Sequence, residues 1–257
     1  MADNALKQKL SYARSLVVTA PLIFFYTAVM GSISVASSLI DARGRAQHAC
    51  SRLWARMILW TSRVHVRVTG LEHIQPARPY VFCVNHQSHM DIPIVLVALP
   101  FQFHFAAKKQ LFRYPFLGWH LRRSGHVSID RENPRAAVKS LREAAESIRQ
   151  GSPVVIFPEG STSLDGTIRL FKGGGLMLAA KANAEAVPVT IRGSRAVLVP
   201  RTYHVRGGTV EVIVGEPICP DGMSSADLAI RVREEILTTF NHGKTLDRNS
   251  YSLSRKV

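Results

Sequence analysis

The pattern of apolar and polar positions changes character twice along the chain. The first stretch is an uncharged run of 26 residues between Arg14 and Asp41, SLVVTAPLIFFYTAVMGSISVASSLI. As a helix it is long enough to cross ~30 Å of hydrocarbon. Pro21 and Gly31 interrupt it, and its second half is rich in Ser. The stretch ARGRAQHACSRLWARMILWTSR follows. At about 100° per residue, Arg45, Arg52, Arg56 and Arg63 fall on one stripe, with Leu53, Trp54, Met57 and Ile58 away from it. This predicts a basic amphipathic helix, fit either to lie on anionic lipid or to pack on a core with its arginines in water. From about residue 64 the texture is different. VHVRV, YVFCV, FHFAA, HVSI, PVVIF, VPVTI and TVEVIV are short β-branched or aromatic runs bounded by turn residues. Helical patterns sit between several of them. One runs from Asn133 as N-cap and Pro134 to the stop at Gly151, one follows the glycines at 173–175, and one is SSADLAIRVREEILTTF. Strands alternating with helices predict a single α/β domain with a mostly parallel or mixed sheet flanked by helices.

Composition narrows the class. With 46% hydrophobic and 20% charged residues over 257 positions, the chain can bury a sizeable core, which excludes a disordered or low-complexity protein. The 33 Lys+Arg against 18 Asp+Glu give a formal charge of +15, which calls for a negative partner. No helix-turn-helix, RNP or finger pattern is present, so no nucleic-acid partner is expected. The arginines cluster beside the apolar run, where an anionic membrane accounts for them. Cys50, Cys83 and Cys219 match neither a zinc spacing nor a disulfide framework, which favours a reducing compartment.

Lys7, Lys9 and Arg14 precede the run, and six arginines from Arg43 to Arg67 follow it. Positive charge marks the cytoplasmic side. A segment dipping into one leaflet from that face satisfies both flanks, whereas a single span satisfies one. A cleaved signal peptide is the rival reading, but the run exceeds a usual apolar signal core and SVASS is a weak cleavage site. The expected organisation is membrane-anchoring helices over 1–63, an α/β domain over 64–242 and a polar basic tail over 243–257.

Candidate chemistry concentrates at strand ends. In VNHQSHMDIPI, a hydrophobic strand stops at Asn85-His86, and Ser88 or Asp91 can cap the helix that follows. A carboxylate beside an imidazole fixes its tautomer and stabilises the imidazolium, which makes a general base for a hydroxyl. The competing reading is a capping Asp91 and a core His86. His89 adds H-x-x-H-x-D, but the helical zinc pattern is absent and no metal is expected. PVVIFPEGSTS runs a buried strand into Pro158, Glu159 and Gly160, exposing backbone amides that can cradle an anion. Lys172 and three glycines then open a helix, a suitable phosphate site. At SGHVSIDRENP, Arg131 can clamp a phosphate or simply close a turn. No G-x-S-x-G elbow exists, which counts against a serine hydrolase.

Asn-His-x-x-x-x-Asp at 85–91, Gly-x-x-x-Ile-Asp-Arg at 125–131, Phe-Pro-Glu-Gly-Ser at 157–161 and Val-Pro-Val at 187–189 occur in that order. Together they resemble the four blocks of the glycerolipid acyltransferases, above all the 1-acyl-sn-glycerol-3-phosphate (lysophosphatidic acid) acyltransferases. AKKQLFRYPFLGW resembles that family's Lys-containing stretch, and the likeness covers about residues 65–216. It implies acyl transfer from acyl-CoA or acyl carrier protein to a lysophospholipid hydroxyl, with His86 as base and Asp91 as its partner. It also implies acceptor binding by Arg131, Glu159, Gly160 and Ser161, with Lys108 and Lys172 as helpers. The third block departs from the family, which usually continues Gly-Thr-Arg-Ser; here Thr162 stands where the Arg would be. Either Arg169 replaces that cation or the acceptor is another lysolipid, such as lyso-ornithine lipid. Ser128 is a lesser departure, at a place where the family often has an aromatic residue.

The implied chemistry is self-consistent. His86 takes the proton from the acceptor hydroxyl, which attacks a thioester, and the thiol leaves as its thiolate. No metal or bound cofactor is required. A Cys83 acyl-enzyme is a rival route, but strand alternation buries Cys83. A non-catalytic membrane scaffold is the remaining alternative, and the intact His86/Asp91 pair argues against it.

Overall fold

The computed structural model describes residues 2–41, 43–75, 78–130 and 134–253. Two N-terminal helices, α1 (Ala2–Arg14) and α2 (Ala20–Ser37), join through a π turn at Ser15–Thr19, and α3 (Arg45–Thr61) folds back on them. The α/β part then runs β1 (Val64–Thr69), β2 (Tyr80–Val84), α4 (Asp91–Ala98), β3 (His104–Lys108), α5 (Leu117–Arg123), β4 (Val127–Ile129), α6 (Pro134–Arg149), β5 (Val154–Ile156), α7 (Gly173–Ala182), β6 (Glu185–Arg192), α8 (Ser194–Val197), β7 (Gly208–Val214) and α9 (Ser225–Leu253). Every run read as a strand is a strand. Asn133, read as the cap of α6, and Arg131 lie outside the described residues. The stretch from 243, expected as a tail, continues α9 as far as Leu253.

The strands form one sheet in the order β1-β7-β6-β2-β5-β3-β4. Neighbours are parallel except β6 and β7. β2, β3, β4, β5 and β6 therefore share a direction, and their C-terminal ends share one edge. All five residues of β2 are buried, as are Val154, Val155 and Ile156 of β5. Strands covered on both faces read as continuous apolar runs rather than alternating ones. One face packs against α3 and α4 through Ala55, Ile58, Leu59, Ile94 and Leu99. The other packs against α6, α7 and α9 through Ile148, Leu176, Leu178, Leu228 and Ile236.

The segment Leu6–Ser37 is long and apolar enough to cross a membrane by length and composition, and only 11% of its apolar window is buried. It lies along the domain and touches it at three stations. Ser15 Oγ hydrogen-bonds Val205 O at 2.9 Å and accepts from Val205 N–H at 3.1 Å. Tyr26 and Thr27 bond Thr61 and Trp54 of α3 at 3.2 and 3.1 Å. Ser34 Oγ meets His120 Nδ1 at 2.6 Å. The outward side bears Val17, Phe24, Phe25 and Ile33 in the open. On α3, Arg45, Arg56 and Trp60 are exposed while Ala55, Ile58 and Leu59 are buried. The expected arginine stripe is thus shorter than its sequence spacing suggested. Arg63 lies past the helix end, in a left-handed turn at φ 55, and Arg52 bonds Pro100 O at 2.9 Å.

Candidate active site

Three motif segments, 85–91, 125–130 and 157–161, leave the sheet at the shared C-terminal edge of the parallel strands, the place where open α/β sheets bind ligands, while Val187–Val189 lies within β6. Asn85 directly follows β2 and is fully buried. Its side chain accepts from Ile191 N–H at 2.7 Å and donates to Ile191 O at 3.0 Å, which extends the ladder to β6 by one rung. That rung fixes where the chain leaves the sheet, and His86 is the next residue.

Asp91, the first residue of α4, is fully buried. Its Oδ2 accepts the backbone N–H groups of Gln87 at 2.7 Å and Ser88 at 2.8 Å, and it meets His86 Nδ1 at 2.8 Å. In a regular helix, positions five apart would point away from each other. Here residues 86–90 form the turn before α4, so one carboxylate oxygen reaches all three donors. Oδ1 is buried with no hydrogen-bond partner among the described residues. A carboxylate in the first helical turn also faces the positive end of the helix dipole. Ser88 shares the capping: its Oγ accepts Met90 N–H at 3.2 Å and donates to Leu198 O at 2.7 Å. His89 is turned to the surface.

The imidazole of His86 is fixed on its face as well as at Nδ1. The Phe157 ring stacks on it with centroids 4.2 Å apart and planes 25° apart, and Phe105 lies behind Phe157. The His86 side chain keeps 12% exposure. With Nδ1 turned to a carboxylate, the proton belongs on Nδ1 and the free lone pair on Nε2.

Glu159 is buried and spends both oxygens on the protein. Oε1 accepts His86 N–H at 2.7 Å, and Oε2 accepts Arg169 N–H at 3.0 Å. Burial pushes its carboxyl above the ordinary value, against the pull of those two amides and the Arg169 charge. Gly160 turns the chain at φ +82. The Arg169 guanidinium folds over the next residues, bonding Ser161 O, Ser161 Oγ at 2.8 Å and Thr162 O at 3.1 Å. The replacement cation suggested by the sequence therefore stands against positions 161 and 162. Lys172 is exposed at the start of α7, with its N–H on Pro158 O at 3.0 Å. Lys108 is exposed at the end of β3, where it pairs in register with Ile129. Beside it Lys109 Nζ bonds Asp130 Oδ2 at 2.9 Å. In the sheet order β4 is three strands from β2, roughly 14 Å. A ligand touching both His86 and the end of β4 must bridge the ends of β5 and β3.

Sequence reasoning missed two arginines. Arg195 donates to Ser163 O at 2.9 Å and Leu164 O at 2.6 Å, and Arg233 to Arg169 O at 2.8 Å and Ile168 O at 2.9 Å. Together they pin the 163–169 loop. Both come from elements remote in sequence, so no local signal marks them. Cys83 is fully buried, and burial drives its thiol far above the range in which a thiolate forms. That removes it as a nucleophile.

An apolar pocket, partly open to solvent, lies between α2, α3, α4 and α5. Its walls include Met30, Trp54, Leu96, Phe105, Leu117 and Leu121, so the ring behind Phe157 is also a cavity wall. The polar groups in it are paired with one another, as in Ser34 and Ser51 on the two nitrogens of His120. The site thus joins an oriented imidazole, an edge rich in cations and an apolar chamber against the N-terminal helices.

Such a combination belongs to a class of enzymes, and comparison identifies it. Residues 65–192 match the family model described as acyltransferase, and the chain belongs to that family. More particularly, it is similar to proteins named 1-acyl-sn-glycerol-3-phosphate acyltransferase. The one from Chlamydomonas reinhardtii is 34% identical over 82% of this chain and 62% of its own length. The chloroplastic one from Arabidopsis thaliana is 33% identical over 68% of this chain and 49% of its own. This chain thus spans about half to three-fifths of the length of these relatives. The crystal structure of the 1-acyl-sn-glycerophosphate acyltransferase PlsC from Thermotoga maritima superposes with a TM-score of 0.79 at 27% identity, covering 92% of this chain and 98% of that one.

Proposed function

We propose that the protein is an O-acyltransferase that moves a fatty acyl group from a thioester donor, acyl-CoA or acyl carrier protein, to the free hydroxyl of lysophosphatidic acid, giving phosphatidic acid. The names of the relatives support the reaction class and acceptor. The observation that carries the mechanism is the hydrogen bond from His86 to a buried Asp91 at the strand–helix corner.

In this reading Nε2 of His86 takes the hydroxyl proton as the oxygen attacks the thioester carbonyl. The imidazolium is stabilised by Asp91, and the tetrahedral intermediate expels a thiolate. Phe157 keeps the ring from rotating. Glu159 acts as a positioning residue through the His86 amide. Arg131, Lys108, Lys172 and Arg169 offer charge to the acceptor phosphate, with Gly160 and Ser161 forming the turn beside it. The apolar cavity receives an acyl chain.

The N-terminal helices hold the enzyme in one leaflet. Residues 2–37 measure roughly 50 Å as a helix. The helix is tied to the polar domain at Ser15 and again at Ser34, roughly 28 Å further along. A perpendicular span would carry that domain into hydrocarbon. Insertion along the exposed side, with Arg45 and Arg56 at the anionic cytoplasmic surface, avoids the cost. The domain boundaries follow: 1–63 anchors and 64–242 catalyses.

The test is turnover by the purified protein with lysophosphatidic acid, lyso-ornithine lipid and other lysolipids, each with acyl-CoA and with acyl carrier protein as donor. A clear preference for lysophosphatidic acid is expected. Turnover confined to another lysolipid would overturn the acceptor assignment.

A further inference from the structure

The loop from α8 to β7 makes a second basic pocket, lined by none of the cations already described. It is lined by Tyr12 of α1 and by Val199, Arg201, Tyr203, His204 and Arg206. No acidic residue occurs in the sequence between Glu185 and Glu211. The side chains of Arg201 and Arg206 form no ion pair among the described residues. Arg14 adjoins them: its Nη2 donates to Val205 O at 3.4 Å, and its Nε is buried with no partner among the described residues. Burial, then the charges of Arg206 and Arg14, hold His204 below its ordinary pKa. Positive charge is therefore gathered here without a counter-charge among the described residues.

The pocket is built rather than incidental. Ser15 Oγ is bonded to both the N–H and the C=O of Val205, His204 Nε2 meets Ser11 Oγ at 3.0 Å, and the Tyr12 and His204 rings pack edge-on with centroids 5.4 Å apart. Arg206 N–H donates to Val197 O at 2.7 Å. Arg201 is held at φ 66, a left-handed conformation uncommon for a side chain of its size. The surroundings identify the occupant. Leu10, Leu16, Val17 and Val18 are exposed on the helix that supplies Tyr12 and Arg14. An anion bound here sits beside an apolar helix face, and a phospholipid presents a phosphate joined to hydrocarbon chains. Tyr12 and Tyr203 match the amphipathic aromatics that settle at a membrane interface.

We propose that this pocket binds the phosphate headgroup of an anionic membrane phospholipid, as an accessory site separate from the acceptor site. Arg201 and Arg206 are the principal ligands and the tyrosine hydroxyls are additional donors. The proposal rests on the reading of α1 and α2 as membrane-inserted. Its test is made in neutral detergent, so that a failure of insertion is seen separately in fractionation.

The experiment is thermal unfolding of the detergent-solubilised full chain with dihexanoyl phosphatidylglycerol, dihexanoyl phosphatidylcholine or inorganic phosphate. The phosphatidylglycerol should raise Tm by about 2–4 °C at ten times its Kd, with little shift from the zwitterionic lipid. Arg201→Gln/Arg206→Gln should abolish the shift, Arg201→Lys/Arg206→Lys should keep part of it, and KM for lysophosphatidic acid should stay within about twofold. Both arginines are free of ion pairs among the described residues, so neither variant should lower the starting Tm, and ³¹P line broadening gives a second readout if one does. An undiminished shift in the Gln variant, or an equal shift from phosphatidylcholine, would overturn the site. A full shift from inorganic phosphate alone would reject the lipid headgroup in favour of a free anion. A KM that rises with the loss of the shift would assign the pocket to the acceptor.

Discussion

Asp91→Asn is the sharpest probe of the proposed base. Oδ2 of Asp91 now serves three donors at 2.7, 2.8 and 2.8 Å. An asparagine can turn its carbonyl to the amides of Gln87 and Ser88. That same oxygen then still accepts from His86 Nδ1, and the NH₂ takes the place of Oδ1, buried with no partner among the described residues. The ring stays in place under Phe157, but a neutral amide no longer stabilises the imidazolium that forms when Nε2 takes the hydroxyl proton. A general base contributes typically ~10²–10⁴-fold, so a loss of about 10³ in kcat/KM is expected, equivalent to about 4 kcal/mol. The structural cost is smaller. Three charge-assisted hydrogen bonds become neutral and one NH₂ is buried unpaired, which amounts to about 1–3 kcal/mol and a Tm drop of several degrees. The assay is thiol release from acyl-CoA with lysophosphatidic acid, alongside thermal unfolding of the same samples. Ser88→Ala is the control, because it removes a cap from Met90 N–H and leaves the His86–Asp91 pair. An Asn variant that keeps more than a tenth of wild-type kcat/KM while losing stability would show Asp91 to be a helix cap alone.

Other predictions follow from the cavity, the anchor and the buried histidines. Leu96→Trp places a larger side chain in the apolar chamber and should lower the ratio of long-chain to short-chain donor turnover roughly tenfold, at about 0.8 kcal/mol per excluded methylene; an unchanged chain-length profile would assign the acyl chain elsewhere. Membranes washed in high salt should keep the protein and neutral detergent should release it, because burial of the apolar face outlasts charge screening. Quantitative release by salt alone would reject insertion. Burial holds His48 and His120 at pKa values of about 4, well below 6.5. A depressed value means these groups favour the fold fully above about pH 6.5 and lose that contribution as pH falls towards 4. Tm should therefore already decline between pH 6.5 and 5, before most carboxylates titrate. His120→Gln should flatten that decline, and an equal slope in the variant would contradict the assignment.

The sequence by itself determined the seven strands, since runs such as YVFCV and PVVIF are buried on both faces and must be nearly all apolar. It also determined the four motif segments and the exposed apolar helix, because each of these is a local pattern. Only the tertiary structure decided how those segments serve one another. Asp91 can bond His86 because residues 86–90 form a turn, and the turn is fixed by Asn85 extending the ladder to Ile191, 106 residues away. Glu159, read from its motif as an acceptor ligand, has both oxygens on backbone amides 73 and 10 residues distant, which nothing near it in sequence signals. The clamps of Arg195 and Arg233 were illegible for the same reason: an exposed arginine looks alike in sequence whether it faces water or a carbonyl from another loop. The spacing of Arg45, Arg52, Arg56 and Arg63 suggested one stripe because helical periodicity was assumed throughout. The left-handed turn at Arg63 ends that periodicity, and it follows from how α3 must pass into β1. Local patterns are set by short-range sterics and burial. Partners are set by packing, which brings together residues that the sequence keeps far apart.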